Sequence, residues 1–232
     1  MKKKISIYIA LIGILTISIF ILSGCQNTKQ PVNNVENTTN TKGTSLRNQI
    51  MGVTQNYITD NTVTETTNIE DLEKYNKEED SNFKTYKDSE GVSFMYPKNW
   101  MSLGKDDSPA FMSTDGKGAT VNLTKDKISE ETTVVTDFDT YISFQKLYLM
   151  QQMTMLSDIQ EKQINLNGKR AYILNYVTES EENEITMQLN VTQVAFVDED
   201  NNVYILTMAV LDKYHNDIKP TFDKITKSFI KE

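Results

Sequence analysis

The sequence predicts an α+β domain, an antiparallel β-sheet flanked by helices in the manner of an α/β/α sandwich. Three observations lead there. Several segments alternate apolar and polar residues with a period of two, the mark of strands lying on a core. Asn167-Gly168 and the polar run "DEDNN" (198–202) separate long apolar runs, so consecutive strands turn back and pair antiparallel. Two further segments, 137–156 and 217–230, repeat their apolar residues at helical spacing.

In chain order, the first segment reads as an export signal. Lys2, Lys3 and Lys4 precede an almost wholly apolar stretch from Ile5 to Leu22, followed by small Ser23 and Gly24. The run also reaches the length of a transmembrane helix, so an uncleaved anchor is the competing reading. Leu22-Ser23-Gly24-Cys25 favours cleavage, because it resembles the lipobox of bacterial lipoproteins. That resemblance implies a diacylglycerol on the Cys25 thiol, removal of residues 1–24, and acylation of the new amino group. Two or three acyl chains bury many methylenes at about 0.8 kcal/mol each, enough for stable anchoring. The expected location is the extracytoplasmic face of a cell membrane, held there through the lipid.

Cys25 is the chain's only cysteine, so its modification leaves no thiol for disulfides, metal ligation or nucleophilic catalysis. The formal charge of −8 becomes −11 once the three leading lysines are removed (−8 minus 3). Such a balance argues against nucleic acid and anionic headgroups as electrostatic partners.

Residues 25–82 are rich in Asn, Thr, Gln, Glu and Lys, with scattered apolar side chains. This composition cannot bury enough surface to offset its ordering entropy, so a flexible polar tether is expected. As a coil of about 55 residues it would span roughly 40 Å. A short helix around "NIEDLEKYNKEED" (68–80) is possible, with a thin stripe of Ile69, Leu72 and Tyr75.

From Phe83 to Glu232 the chain fits one domain of ordinary size. Val92, Phe94 and Tyr96 alternate in "GVSFMY" up to Pro97. Ala119, Val121 and Leu123 alternate against Thr120, Asn122 and Thr124, the pattern of a half-buried strand. A helix follows from Asp137 to about Leu156, capped by Thr136 or Asp137, with Phe138, Ile142, Leu149, Met153 and Leu156 on its apolar face. In "EITMQLNVTQVAFVD" the apolar phase runs from Ile185 to Val191 and breaks at Gln193, which suggests a bulge or passage under a covering element. "VYILTMAV" is apolar on both faces and reads as a central strand. The closing helix, about Asp217 to Ile230, admits Pro220 in its first turn and buries Ile218, Phe222, Ile225 and Phe229.

Three stretches in this order, "GVSFMYPKNW", "INLNGKRAYILNY" and "FDKITKSF", resemble the Mog1/PsbP-like superfamily, which includes PsbP-domain proteins and DcrB-type bacterial lipoproteins. The resemblance implies a central antiparallel sheet with flanking helices and a non-enzymatic accessory or binding role. Its members assist photosystem II, bind a small GTPase or sit in bacterial envelopes, so the fold does not select one function. The shared motifs are structural, and no catalytic residue is carried over.

The remaining chemistry is sparse. His215, the only histidine, sits in "KYHND" and reads as a solvated loop residue before the last helix. "DEDNN" begins like a calcium loop, but such a loop needs Gly at 203 and Glu at 209, where the chain has Val203 and Ala209, so a hairpin turn is the better reading. "ESEENE" (179–184) is likewise a solvated turn. Met150, Met153 and Met155 do not share one helix face, which argues for packing and against a copper site. No cofactor or metal is expected. One ridge suggests a contact surface: Tyr141, Gln145, Tyr148 and Gln152 recur at i, i+4, i+7 and i+11 beside the apolar stripe. It would suit a peptide, a glycan or an envelope protein; otherwise the rings finish the core edge while the polar tips reach water.

The functional expectation is therefore a membrane-anchored extracytoplasmic lipoprotein with a non-enzymatic binding or accessory role. The alternative is a structural or assembly factor docking onto another envelope protein; an enzyme comes third.

Overall fold

The structure is a computed structural model describing residues 70–72, 81–104, 108–128, 135–182 and 185–232. The lipobox-like stretch at 22–25, expected to carry a lipid, and nearly all of the expected tether lie outside the described residues. What is described is sheet-rich α+β, built from two sheets and two long helices.

The larger sheet holds β1 (Glu70–Leu72), β4 (Met101–Ser102), β5 (Ala110–Met112), β6 (Thr120–Lys127), β7 (Thr154–Met155), β8 (Gln160–Leu166), β9 (Lys169–Glu182), β10 (Ile185–Val197) and β11 (Asn202–Leu211). Its order is β1-β8-β9-β10-β11-β6-β5-β4, with β7 also pairing on β9. Every pair is antiparallel except β1 with β8, which runs parallel through Glu70↔Ile164 to Leu72↔Leu166. β1 lies inside the segment expected to be a tether, where a helix was the local expectation, so the described structure begins well before Phe83. A smaller sheet, unforeseen in the sequence, joins β2 (Phe83–Lys87), β3 (Val92–Pro97) and β12 (Ile230–Lys231) in the order β12-β3-β2.

The turns follow their residues. Asn167 and Gly168 both take positive φ (53° and 84°), the mirror-image turn that matches strand twist, and they join β8 to β9. "DEDNN" is the β10–β11 turn, with the Asp198 N–H donating to Asn202 O at 3.0 Å. The β9–β10 and β10–β11 registers run past Gln193 without interruption, so there is no bulge there. The phase breaks because both faces of β10 are covered from that point, and Gln193, Val194, Ala195 and Phe196 are all buried. β6 departs from the half-buried expectation for the same reason, since Thr120 and Asn122 are buried with their apolar neighbours.

α1 (Phe138–Gln152) begins where expected, with the Asp137 carboxylate accepting from the Thr140 N–H at 2.8 Å. It stops at Gln152, short of Leu156. Thr154 and Met155 leave the helix to pair with β9, Met153 is half-buried, and Leu156 is 44% exposed. α2 (His215–Ser228) follows a 3₁₀ turn at Asp212–Tyr214 and starts two residues early, which puts Pro220 in the second turn on an exposed position. Its stripe of Ile218, Phe222 and Ile225 is buried as expected, with Phe229 just beyond its end.

Two apolar clusters line the larger sheet. Tyr204, Leu206, Met208 and Val210 of β11 join the α2 stripe and the smaller sheet's Val92 and Phe94. Val203, Ile205 and Ala209, interleaved with them, join Phe138, Ile142 and Leu149 of α1. β11 is thus buried along its length, the central strand that its uninterrupted apolar run predicts. The "YPKNW" motif closes the first cluster. Tyr96 stacks on Phe111 at 3.8 Å between centroids, and the Trp100 N–H donates to Pro97 O at 3.0 Å.

Candidate functional site

The ridge expected on α1 is split by its surroundings. Tyr141 is buried and its hydroxyl donates to Asp126 Oδ2 at 2.8 Å. Burial first, and the Asp126 carboxylate second, push that phenol far above its ordinary pKa, so it stays protonated. Gln145 is buried against the sheet, where its amide donates to Gln193 Oε1 at 3.5 Å and Gln193 in turn donates to Thr207 Oγ1 at 3.3 Å. Neither side chain is available to a partner. The reason is register: Gln193 and Thr207 sit opposite each other on the face of β10 and β11 that meets α1, and a buried amide needs a matching amide. Tyr148 is half-buried and Gln152 is exposed.

A different surface is shaped like a site. β9 and β10 run for 14 and 13 residues, about 45 Å of strand, whereas α2 has 14 residues and spans about 21 Å. The helix therefore covers only part of its face of the hairpin. Where cover ends, a groove of about 560 Å³ opens between α2 and β8–β10. Its floor carries Gln160 of β8, Asn175 of β9, and Asn190 and Thr192 of β10, which fall side by side in the register (Gln160↔Asn175↔Thr192). Its wall is a ridge of α2 at four-residue spacing: His215, Lys219, Asp223 and Lys227.

Hydrogen bonds hold this geometry in place. Asn167, in the β8–β9 turn, donates its amide to the carbonyls of Lys227 (3.2 Å) and Phe229 (3.1 Å), tying the C-terminal end of α2 to the sheet. At the other end, the Asn190 amide donates to Asp212 in the 3₁₀ turn that leads into α2 (3.2 Å). On the floor, the Thr192 hydroxyl donates to Asn175 Oδ1 at 2.8 Å. His215 is not a loop residue: it is the first residue of α2, half-buried, and its Nδ1 is buried without a hydrogen-bond partner.

With the architecture in view, a family model described as PsbP-like protein matches residues 49–230, well over half of the chain. The chain belongs to the PsbP-like protein family. None of the curated proteins matches it. Solved structures similar to this PsbP-like chain include the solution structure of cyanobacterial PsbP (CyanoP) from Synechocystis, 14% identical, covering 69% of this chain and 99% of that one at a TM-score of 0.49. LpqN of Mycobacterium tuberculosis, described as involved in cell envelope biogenesis, is 14% identical over 68% and 98% of the two chains, with a TM-score of 0.44. The Ran-binding protein Mog1p of Saccharomyces cerevisiae is 7% identical over 64% and 95%, also at 0.44.

Elsewhere in the PsbP-like domain, the titratable clusters have structural partners. Arg170 and the Tyr172 hydroxyl both donate to Asp139 at the start of α1. Lys125 pairs with Asp88 at 2.8 Å and Glu90 at 3.1 Å. Among the described residues, no three His, Cys, Asp or Glu side chains gather to hold a metal, and no helix is long and apolar enough to cross a membrane. The large apolar side chains left exposed, Met101, Met150, Leu156 and Ile185, sit on four separate segments. The i+4 ridge on α2 was missed in the sequence, where the helix was begun at about Asp217 and His215 left in a loop; four-residue spacing carried on back to 215 is the signal that finds it. Its partners on the floor leave no such signal, because they are set by which strands neighbour one another.

Proposed function

We propose that this PsbP-like chain is an extracytoplasmic binding protein, tethered to the membrane through a lipid on Cys25 and holding its ligand between α2 and β8–β10. The groove carries the reading. Its volume falls within the range of about 300–1,000 Å³ usual for ligand sites, and it combines polar groups with flanking apolar surface from Ile173, Val177 and Phe222. Binding fits the lining better than catalysis. Ser157 is the serine among the lining residues, and its hydroxyl is committed to backbone: it accepts from the Val177 N–H at 2.8 Å and donates to Asp158 O at 3.2 Å. A hydroxyl so engaged is not poised against a general base.

The test is an NMR titration of the full chain in detergent with saccharide and small-molecule fractions of a bacterial envelope extract. Shift changes centred on residues 160–162, 175–177, 190–192 and 215–227 support the assignment. Changes centred on Tyr148 and Gln152, or none at all, refute it.

A further inference from the structure

We infer that the β9–β10 hairpin joins two copies of this chain through the outer edge of β10. The surface lies away from the groove and does not depend on it. β10 pairs with β9 along almost its whole length, from Ile185↔Glu182 to Phe196↔Ala171. Its other neighbour is shorter. β11 ends at Leu211, opposite Leu189, and the chain then turns into the 3₁₀ segment Asp212–Tyr214. Ile185 to Gln188 therefore run on with one side unpaired, and no backbone hydrogen bond from another segment reaches them among the described residues. Ile185, Thr186 and Gln188 are exposed.

A free sheet edge is a template for strand addition, and proteins blunt such edges with charge or brevity. Here β2 carries Lys84 and Lys87, β1 carries Glu70 and Asp71, and the start of β8 carries Glu161 and Lys162. β4 and β12 have two residues each. β10 differs. It has no charged residue from Ile185 to Val197, and it leaves Ile185 40% exposed beside its open edge.

Register identifies the occupant. Residues facing each other across an antiparallel pair point to the same side of the sheet, so two identical strands related by a two-fold axis must set one residue opposite itself. Centring on Met187 would put Ile185 of one copy opposite Leu189 of the other, a place that Leu211 already holds. Centring on Thr186 avoids the clash. Thr186 then faces its own copy, and Ile185 of each copy faces Met187 of the other. Each exposed isoleucine gains an apolar cross-strand neighbour, and the threonines add a polar pair. A strand so matched to itself fits a second copy. The contact is short, at the weak end of protein interfaces. Confinement to a membrane plane, through the lipid expected on Cys25, raises the local concentration at which copies meet.

The experiment is cysteine cross-linking of the full chain in detergent, in a Cys25→Ser background that leaves the introduced residue as the only thiol. Thr186→Cys is compared with Glu181→Cys, which lies directly across β9 on the same hairpin. Facing residues have Cβ atoms about 4.5–5.5 Å apart, near the span of a disulfide, whereas residue 181 would lie about 14 Å from its copy. Mild oxidation should therefore give a band at twice the chain mass with Thr186→Cys, at least about tenfold stronger than with Glu181→Cys. Adding Ile185→Lys to Thr186→Cys should remove that excess, and unchanged circular dichroism and urea midpoints show that the fold survives the substitution. Equal linking at 181 and 186 would mean random collision and overturns the inference. So does linking at 186 that Ile185→Lys leaves intact, or no dimer band from Thr186→Cys. In intact cells, with Cys25 kept, Thr186→Cys should give the same double-mass band. A band of another mass would show that a different protein takes this edge, and would overturn the assignment to a second copy.

Discussion

Replacing Lys231 by Met would open the clamp that fastens the end of the chain to the β10–β11 turn. Asp198, whose side chain is only 6% exposed, accepts the Lys231 ammonium, the Tyr204 hydroxyl at 3.0 Å, and the N–H and amide of Asn202 at 2.9 and 3.0 Å. Lys231 also donates to the Tyr204 hydroxyl at 2.9 Å, closing a triangle. Burial on its own would raise the Asp198 pKa. The bonds from Lys231, Asn202 and Tyr204 outweigh it and hold the carboxyl well below the usual range. Asp198, and then Tyr204, push the Lys231 ammonium above its ordinary value. Removing the ammonium leaves a buried carboxylate that keeps hydrogen bonds but loses its counter-charge. The expected cost is about 3 kcal/mol, at the low end for breaking a buried pair. With a urea m-value of about 2 kcal/mol/M, the midpoint falls by about 1.5 M. A depressed carboxyl stabilises the fold fully above its unfolded pKa of about 3.9, and the effect is lost as pH drops through the folded value. The gap between wild type and Lys231→Met should therefore be level across neutral pH and narrow below about pH 4. A gap under about 1 kcal/mol at pH 7, or one unchanged at about pH 3, would refute the clamp.

Gln145→Ala should destabilise the domain by about 1–3 kcal/mol, because it strands the Gln193 amide inside the α1–sheet interface, while exposed Gln152→Ala should stay within about 0.5 kcal/mol; urea midpoints separate the two. Leu149→Ala, on the buried side of the same helix, should cost about 2–5 kcal/mol. Cys25→Ala should abolish incorporation of radiolabelled palmitate, and label at wild-type level on that variant would sink the lipid anchor. Limited proteolysis should yield a core that retains Glu70–Leu72, held on β8, and a stable core starting at Phe83 would show that pairing to be dispensable.

Local chemistry was legible wherever a residue's role is set by its immediate neighbours. Asn167-Gly168 declared the β8–β9 turn, Asp137 the cap of α1, and the unbroken apolar run of β11 a strand covered on both sides. Readings that depended on distant partners failed. Gln145 looked like a surface amide because its match, Gln193, is 48 residues away and meets it only through the packing of α1 on β10. β12 was read as the tail of a helix, since two residues gain strand geometry only by pairing with β3. The candidate site was not read in the sequence. The α2 ridge of His215, Lys219, Asp223 and Lys227 went unnoticed because His215 was placed in the loop before the helix, and the floor exists only once β8, β9 and β10 lie in register.

The most direct test of the central claim places a photo-cross-linking residue at Asn175 of the full-length chain in intact cells, with a second variant carrying it at Gln152. The account predicts a ligand adduct at 175, detected as a mass increase on the β9 peptide, and none at 152. Equal labelling at both positions, or an adduct at 152 alone, would contradict it.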